Sequence, residues 1–322
     1  MYSPTELTSL YEQKFSTNNF NENPTNLYDP VQHIMNIKGK RIRPILLLMS
    51  CDMFGGNVEQ GLKPSFAMEV FHNFTLVHDD IMDNADIRRG VPTVHKLFGL
   101  NAGILAGDVM LAYAYKYLSD VPVRYIPSLF QAFNKTAIEI FEGQQMDIDF
   151  EKRTDVTEAE YLKMIEFKTS VLMACSLQLG ALLADATEIN QKAVYDFGLN
   201  LGLSFQIKDD YLDAFGEAEK VGKKIGGDIL QNKKTYLLVT ALNTARGKQK
   251  EELLALLVSS GSDKKIEGVK KIFEDLGVKA ATEARIDSFF DQSIASLQAI
   301  DIADERKQPL LTLARMVHDR DF

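Results

Sequence analysis

Three observations predict an all-α fold for this chain. Apolar residues recur at helical spacing almost throughout, alternating strand patterns are absent, and Pro309 is the one proline after Pro127. The run Pro64 to Met82 reads as a long helix, because Phe66, Val70, Phe74, Val77 and Ile81 follow a three-to-four-residue period. Ala102 to Leu118 is a second helix and Pro122 to Met146 a third. Thr157-Glu158-Ala159-Glu160 supplies an N-cap with acidic first-turn residues, and the helix it starts is expected to run to Ala184. Gln191 to Phe215 follows, ending near Gly216. Asp228 to Ala245, Glu251 to Val258, Ile266 to Leu276, Val278 to Leu297 and Gln308 to Asp319 complete the set, with Gly277 as a break. The breaks are short, so residues 1–322 are expected to form one domain. Gly and charge cluster near Arg88–Pro92 and Glu219–Gly227, which are expected to be mobile loops.

The bulk numbers narrow the function classes. The chain has 322 residues, 45% of them apolar, enough for a sizeable core. A net charge of -9 disfavours nucleic acid and anionic membrane surfaces as partners. Cys51 and Cys175 sit in apolar runs, outside any metal-ligand spacing, and read as buried thiols. No signal-peptide hydrophobic region and no transmembrane span is expected, so a soluble cytoplasmic enzyme fits.

Two aspartate clusters carry the chemistry. Asp79-Asp80-Ile81-Met82-Asp83 and Asp209-Asp210-Tyr211-Leu212-Asp213 both read Asp-Asp-x-x-Asp. With 25 Asp in the chain, chance gives roughly 0.15 copies of this pattern, and two copies about once in a hundred such chains. Residues four apart share a helix face, so Asp79 can share a cation with Asp83, and Asp209 with Asp213. One such cluster alone is as readily a solvated acidic face. Two that face one another would make a carboxylate cage for Mg²⁺, a hard ion held by a few carboxylates plus substrate phosphate. Mn²⁺ is equally admissible on ligand chemistry. Gly39-Lys40-Arg41-Ile42-Arg43-Pro44 opens an apolar helix and is a phosphate-binding candidate. Arg88 and Arg89 suit bidentate phosphate contacts. Lys168, mid-helix among apolar residues, needs a partner.

The segment His78–Asp83, followed by Arg88-Arg89-Gly90-Val91-Pro92-Thr93-Val94-His95, resembles the first aspartate-rich motif of the trans-isoprenyl diphosphate synthases, the polyprenyl synthetase family. Phe205-Gln206-Ile207-Lys208-Asp209-Asp210-Tyr211-Leu212-Asp213 resembles the second. The resemblance covers about 35 to 240 strongly, and it is to the short-chain, farnesyl- and geranylgeranyl-type members. It implies a single large bundle of antiparallel helices around a central cavity, the isoprenoid synthase type I fold. It implies three Mg²⁺ ions bridged by the clusters and an allylic diphosphate condensed with isopentenyl diphosphate. Lys40, Arg43 and His72 are implied to grip isopentenyl diphosphate, Arg88 the allylic diphosphate, and Arg89 isopentenyl diphosphate. Lys38 stands where many members have a first glycine. Asp79, Asp80, Asp83 and Asp209 are implied to be catalytic, with Asp79, Asp83, Asp209 and Asp213 as metal ligands. Asp147, in Gly143-Gln144-Gln145-Met146-Asp147, is a further candidate ligand. Thr169 and Gln206 are implied to face the developing cation, and Lys168 the leaving diphosphate. Lys223, Lys224 and Lys233 are implied to close over the allylic diphosphate.

A bulky residue five before the first Asp is the family's chain-length stop. Phe74 holds that place, with Thr75 beside it and Phe71 a turn below. The expectation is a product of fifteen to twenty carbons, leaning to twenty. A class I terpene cyclase and a non-catalytic partner subunit are competing readings. The first usually lacks an intact second cluster and the Gly-Lys-Arg-x-Arg-Pro signal; the second usually loses one cluster. The family is usually homodimeric. Arg320-Asp321-Phe322 is expected to reach the active site of its own subunit.

Overall fold

The computed structural model describes residues 2–15, 20, 22–216, 225–260 and 262–320. Among these, helices dominate and the one sheet is a two-stranded ribbon. The chain divides into two compact units, Met1–Phe133 with Ser176–Gln191, and Asn134–Cys175 with Lys192–Phe322.

The first unit contains α1 (Pro4–Phe15), α2 (Thr25–Asn36), α3 (Ile42–Met53), α4 (Val58–Met82), α5 (Val94–Phe98) and α6 (Leu100–Leu118). α4 is its spine and packs on α3 and α6. It begins six residues before Pro64, because Asn57 caps it by accepting from Glu59 N–H at 3.0 Å. Pro64 is therefore inside the helix. Leu46, Leu47, Leu48, Phe71 and Phe133 are fully buried, and each such side chain contributes roughly 1.5–3 kcal/mol. Phe71 packs edge-on against Phe133 at 4.9 Å and tilted against Phe74 at 5.4 Å. The segment expected as a mobile loop at Arg88–Pro92 contains a hairpin, Ile87–Arg88 paired with Val91–Pro92. Arg89 at φ 50° and Gly90 at φ 82° make its turn. Positive φ at both central residues is what a two-residue hairpin of type I′ needs. Two-residue strands are too short to leave an alternation in sequence.

The second unit contains α8 (Glu158–Ile165), α10 (Glu188–Phe215, from Lys192 on), α11 (Gly227–Gln231), α12 (Tyr236–Thr244), α13 (Gly247–Val258), α14 (Asp263–Asp275), α15 (Val278–Gln298) and α16 (Asp304–His318). α7 (Ile126–Glu151) contributes Asn134 onward, and α9 (Val171–Leu183) contributes up to Cys175. Thr157 caps α8 as expected, in a reciprocal box with Glu160. The helix expected to run from there to Ala184 is present as far as Leu183, with one irregular turn inside it. A π-turn, Glu166–Ser170, separates α8 from α9, and Val171 N–H reaches back to Glu166 O. Such single turns recur at functional sites, and this one carries Lys168 and Thr169. The helix expected over Asp228–Ala245 is split. Asn232 adopts φ 57° and Thr235 caps a new helix by accepting from Leu238 N–H at 3.2 Å. The break near Gly277 is present, at φ 69°. A core of Phe150, Tyr161, Ile165, Leu203, Ile207 and Tyr236 supports α10.

Cys51 and Cys175 are buried thiols, each pushed up to about 12 by burial. No helix among the described residues is long and apolar enough to cross a membrane.

Candidate active site

In the first unit the last turn of α4 carries Asp79, Asp80 and Asp83. Asp79 is half-buried, Asp83 is exposed, and Asp80 is 2% exposed. Asp80 accepts a forked pair from Arg88: Nε at 2.8 and 3.0 Å, Nη2 at 2.8 Å. Arg88 therefore ties the hairpin to α4, and Asp80 is occupied by it. That leaves Asp79 and Asp83 as the pair on one helix face suited to a cation.

Two turns below on α4, His72 Nε2 lies 3.2 Å from Arg43 Nη1. Burial holds His72 well below the usual imidazole range, and Arg43, Arg89, Arg88 and Arg41 add to the effect. His72 is thus neutral, so Nε2 accepts from Arg43 and Nδ1 carries the proton. Arg43 is itself pushed down to about 10 by burial, with Arg89 lowering it further and Glu69 opposing. Its buried Nε has no hydrogen-bond partner among the described residues. Arg41, the middle cation of the Gly-Lys-Arg-x-Arg-Pro segment, is committed to the fold. It pairs with buried Glu69 and donates to the Met35 and Ile37 carbonyls at 3.1 and 3.2 Å. Arg89 donates to Lys38 O at 3.0 Å, and its guanidinium lies across Gly39. A Cβ on Gly39 would stand 2.4 Å from Arg89 Nη1, so a larger residue there would displace the guanidinium. Lys40 is exposed at the start of this segment. Glu69 and Asp80 balance Arg41 and Arg88, and the remaining positive charge is set for an anion.

Phe74 is 5% exposed and packs edge-on against His78 at 4.9 Å. Phe71 lies beneath it, and the Thr75 hydroxyl donates to His72 O at 2.8 Å.

In the second unit the π-turn aims Lys168 and Thr169 into a cavity of about 60 Å³ that also touches Asp147, Gln206, Asp210 and Lys233. Gly143 makes this possible. A Cβ there would meet Lys168 N at 2.5 Å and Phe167 Cβ at 2.8 Å. Lys168 finds the partner its burial demanded in Asp147. The Thr169 hydroxyl donates to Gln206 Oε1 at 3.1 Å, and Gln206 Nε2 donates to Asp210 Oδ1 at 3.3 Å. Asp210 is buried, and its Oδ2 accepts from the Tyr161 hydroxyl and from Tyr236 N–H at 2.8 Å. Burial pushes its carboxyl up to about 7 against these donors. Asp210 is a buried acceptor turned into the fold, which leaves Asp209 and Asp213 as the second cluster's metal candidates. Asp213 Oδ2 accepts from Asp228 N–H at 2.9 Å. Asp209 pairs with Arg320, which places this residue at the second aspartate cluster. Residues 321–322, and Lys223 and Lys224, lie outside the described residues. Lys233 lies 4.0 Å from Asp228.

Among the described residues no three His, Cys, Asp or Glu side chains converge into a ready cation site. Hard carboxylate pairs that need phosphate oxygens to complete a shell still suit Mg²⁺. Sequence reasoning missed Tyr161, Tyr236 and Glu69, since a buried tyrosine or glutamate gives no local signal in one sequence.

The sequence model of the polyprenyl synthetase family matches residues 24–276. The chain belongs to that family. Within it, the geranylgeranyl diphosphate synthase of Sulfolobus acidocaldarius is 42% identical over 74% of this chain and 73% of that protein. The geranylgeranyl pyrophosphate synthase of Geoglobus acetivorans is 38% identical over 93% and 92%. A crystal structure of a geranylgeranyl pyrophosphate synthase superposes with a TM-score of 0.94 at 42% identity, covering 100% of both chains. Like those of its relatives among the polyprenyl synthetases, this fold is the all-α isoprenoid synthase type.

Proposed function

We propose that this polyprenyl synthetase condenses isopentenyl diphosphate with an allylic diphosphate (dimethylallyl, geranyl or farnesyl). The product is a short all-trans prenyl diphosphate of fifteen to twenty carbons, geranylgeranyl diphosphate being favoured. The observation that carries the reading is the under-balanced cation group of Arg43 and Arg89 two turns from the Asp79/Asp83 face. Such a group accepts a diphosphate without reorganising, and His72 holds Arg43 in place for it.

Lys40, Arg43 and Arg89 bind isopentenyl diphosphate in this reading. Arg88, Lys168, Lys233 and one or both of Lys223 and Lys224 bind the allylic diphosphate. Asp79 with Asp83, and Asp209 with Asp213, would hold the three Mg²⁺ ions, with Mn²⁺ chemically admissible; Asp147 is a candidate addition once Lys168 turns to phosphate. When bound, the metal supplies Lewis-acid withdrawal of charge from the diphosphate. The allylic C1–O bond breaks and the electron pair leaves with the diphosphate, to which Lys168 donates. Thr169 and Gln206 turn oxygen towards C1 as positive charge develops there. The isopentenyl double bond attacks C1, a carbon–carbon bond forms, and a proton passes from the isopentenyl C2 to a diphosphate oxygen. Phe74, with Phe71 and Thr75, ends the space for the growing chain.

Residues 1–322 work as one catalytic domain in this proposal, since the family match takes in parts of both units. A homodimer is included. Leu97, Leu100, Ile104 and Leu105 are each 42–55% exposed on α5 and α6, a patch that suits a second copy. Asp79→Ala tests the reading. It should lose at least about 10³-fold in turnover with the melting temperature held. Near-normal turnover in that variant would sink the assignment.

A further inference from the structure

Tyr161 has no part in the chemistry described so far, yet its hydroxyl ends the chain of hydrogen bonds that leads to Thr169. The ring is 1% exposed and packs against Tyr236 at 6.0 Å. We propose that Tyr161 is a positioning residue for Gln206, acting through Asp210 so that the amide presents its oxygen, not its NH₂, to Thr169 and the cavity. This inference rests on the prenyl-transfer reading above.

Donor and acceptor counts set the orientation of Gln206. Asp210 Oδ2 receives two donors, the Tyr161 hydroxyl and Tyr236 N–H. They fix the carboxylate plane and leave Oδ1 to accept from Gln206. An amide has one donor end and one acceptor end. With NH₂ committed to Oδ1, Oε1 must face the other way, where it accepts from the Thr169 hydroxyl. The Thr169 proton is thereby used, and its lone pairs are left for the cavity. A flipped Gln206 would oppose its oxygen to a carboxylate oxygen and send two N–H groups towards Thr169. Those partial positive charges would then face the carbon on which positive charge develops. Tyr236 contributes only a backbone donor, which no side-chain change removes, so Tyr161 is the adjustable member of the pair.

A merely structural Tyr161 would cost stability when altered and leave turnover per folded molecule alone. The test is a double-mutant cycle of Tyr161→Phe and Gln206→Met, with turnover referred to the folded fraction from circular dichroism. The phenylalanine keeps the ring and removes only the hydroxyl. Tyr161→Phe should lower kcat about 10- to 100-fold while KM for both diphosphates stays within about threefold. In the Gln206→Met background, the same change should alter kcat by less than about twofold, because there is no amide left to orient. A Tyr161→Phe enzyme with wild-type kcat, or a loss that persists undiminished beside Gln206→Met, would overturn the inference alone. A wild-type protein that condenses no diphosphates would sink the functional reading, and this inference with it.

Discussion

Arg320→Ala should make the metal-free protein less stable and its demand for Mg²⁺ smaller. The Arg320 guanidinium pairs with Asp209, donates to Phe205 O at 2.9 Å and lies 3.8 Å from the Phe205 ring centroid. Its side chain is 10% exposed, but that of Asp209 is 43% exposed, so the ion pair is screened. We assign about 1 kcal/mol to the pair and about 1 kcal/mol to the stacking on Phe205. Losing both should lower the melting temperature in chelator by a few degrees. Of these two contacts, the ion pair competes with a cation for Asp209. Its absence should therefore reduce the half-saturating Mg²⁺ about fivefold, the factor that corresponds to about 1 kcal/mol. The assay is thermal melting in chelator and across a Mg²⁺ titration at fixed inorganic pyrophosphate. Equal melting temperatures in chelator, or an unchanged Mg²⁺ midpoint, would refute the reasoning.

Phe74→Ala should lengthen the product, from twenty carbons towards twenty-five, when dephosphorylated products are sized by chromatography. The lost ring costs about 3–5 kcal/mol, so the assay is run well below the melting temperature. Gly143→Ala places a Cβ 2.5 Å from Lys168 N. Neither backbone can yield freely, so a loss of about 1–3 kcal/mol in denaturant titration is expected, with lower kcat as the π-turn shifts. Glu160 is held down at about 2 by Arg153 and by the Thr157 backbone and hydroxyl. Its unfolded value is about 4.3, so its contribution is present above that pH and lost as pH falls through about 2. Glu160→Gln should flatten the dependence of melting temperature on pH in that window.

Much of this was legible in the sequence, for stated reasons. Periodicity located α4, α6, α10 and α15, because a long amphipathic run repeats its pattern many times. The start of α4 was misread at Pro64, since the capping Asn57 lies in a stretch with weak periodicity. The π-turn at Glu166–Ser170 inserts one residue into a helix, a shift too small for periodic counting. Split helices at Asn232 follow from a left-handed residue that asparagine tolerates and composition does not flag. The aspartate spacing pointed to Asp79/Asp83 and Asp209/Asp213. The opposite fates of Asp80 and Asp210, one held by Arg88 and one by two tyrosines, needed three dimensions. The same holds for Arg41, whose partner Glu69 is 28 residues away.

Condensation can be measured directly. The purified protein is incubated with Mg²⁺, isopentenyl diphosphate and, separately, five-, ten- and fifteen-carbon allylic diphosphates, and the dephosphorylated products are sized. Isopentenyl diphosphate should be consumed and a prenyl product of fifteen to twenty carbons should form, with twenty predominant. Hydrocarbon formed without isopentenyl consumption, or no turnover with any primer, would contradict condensation.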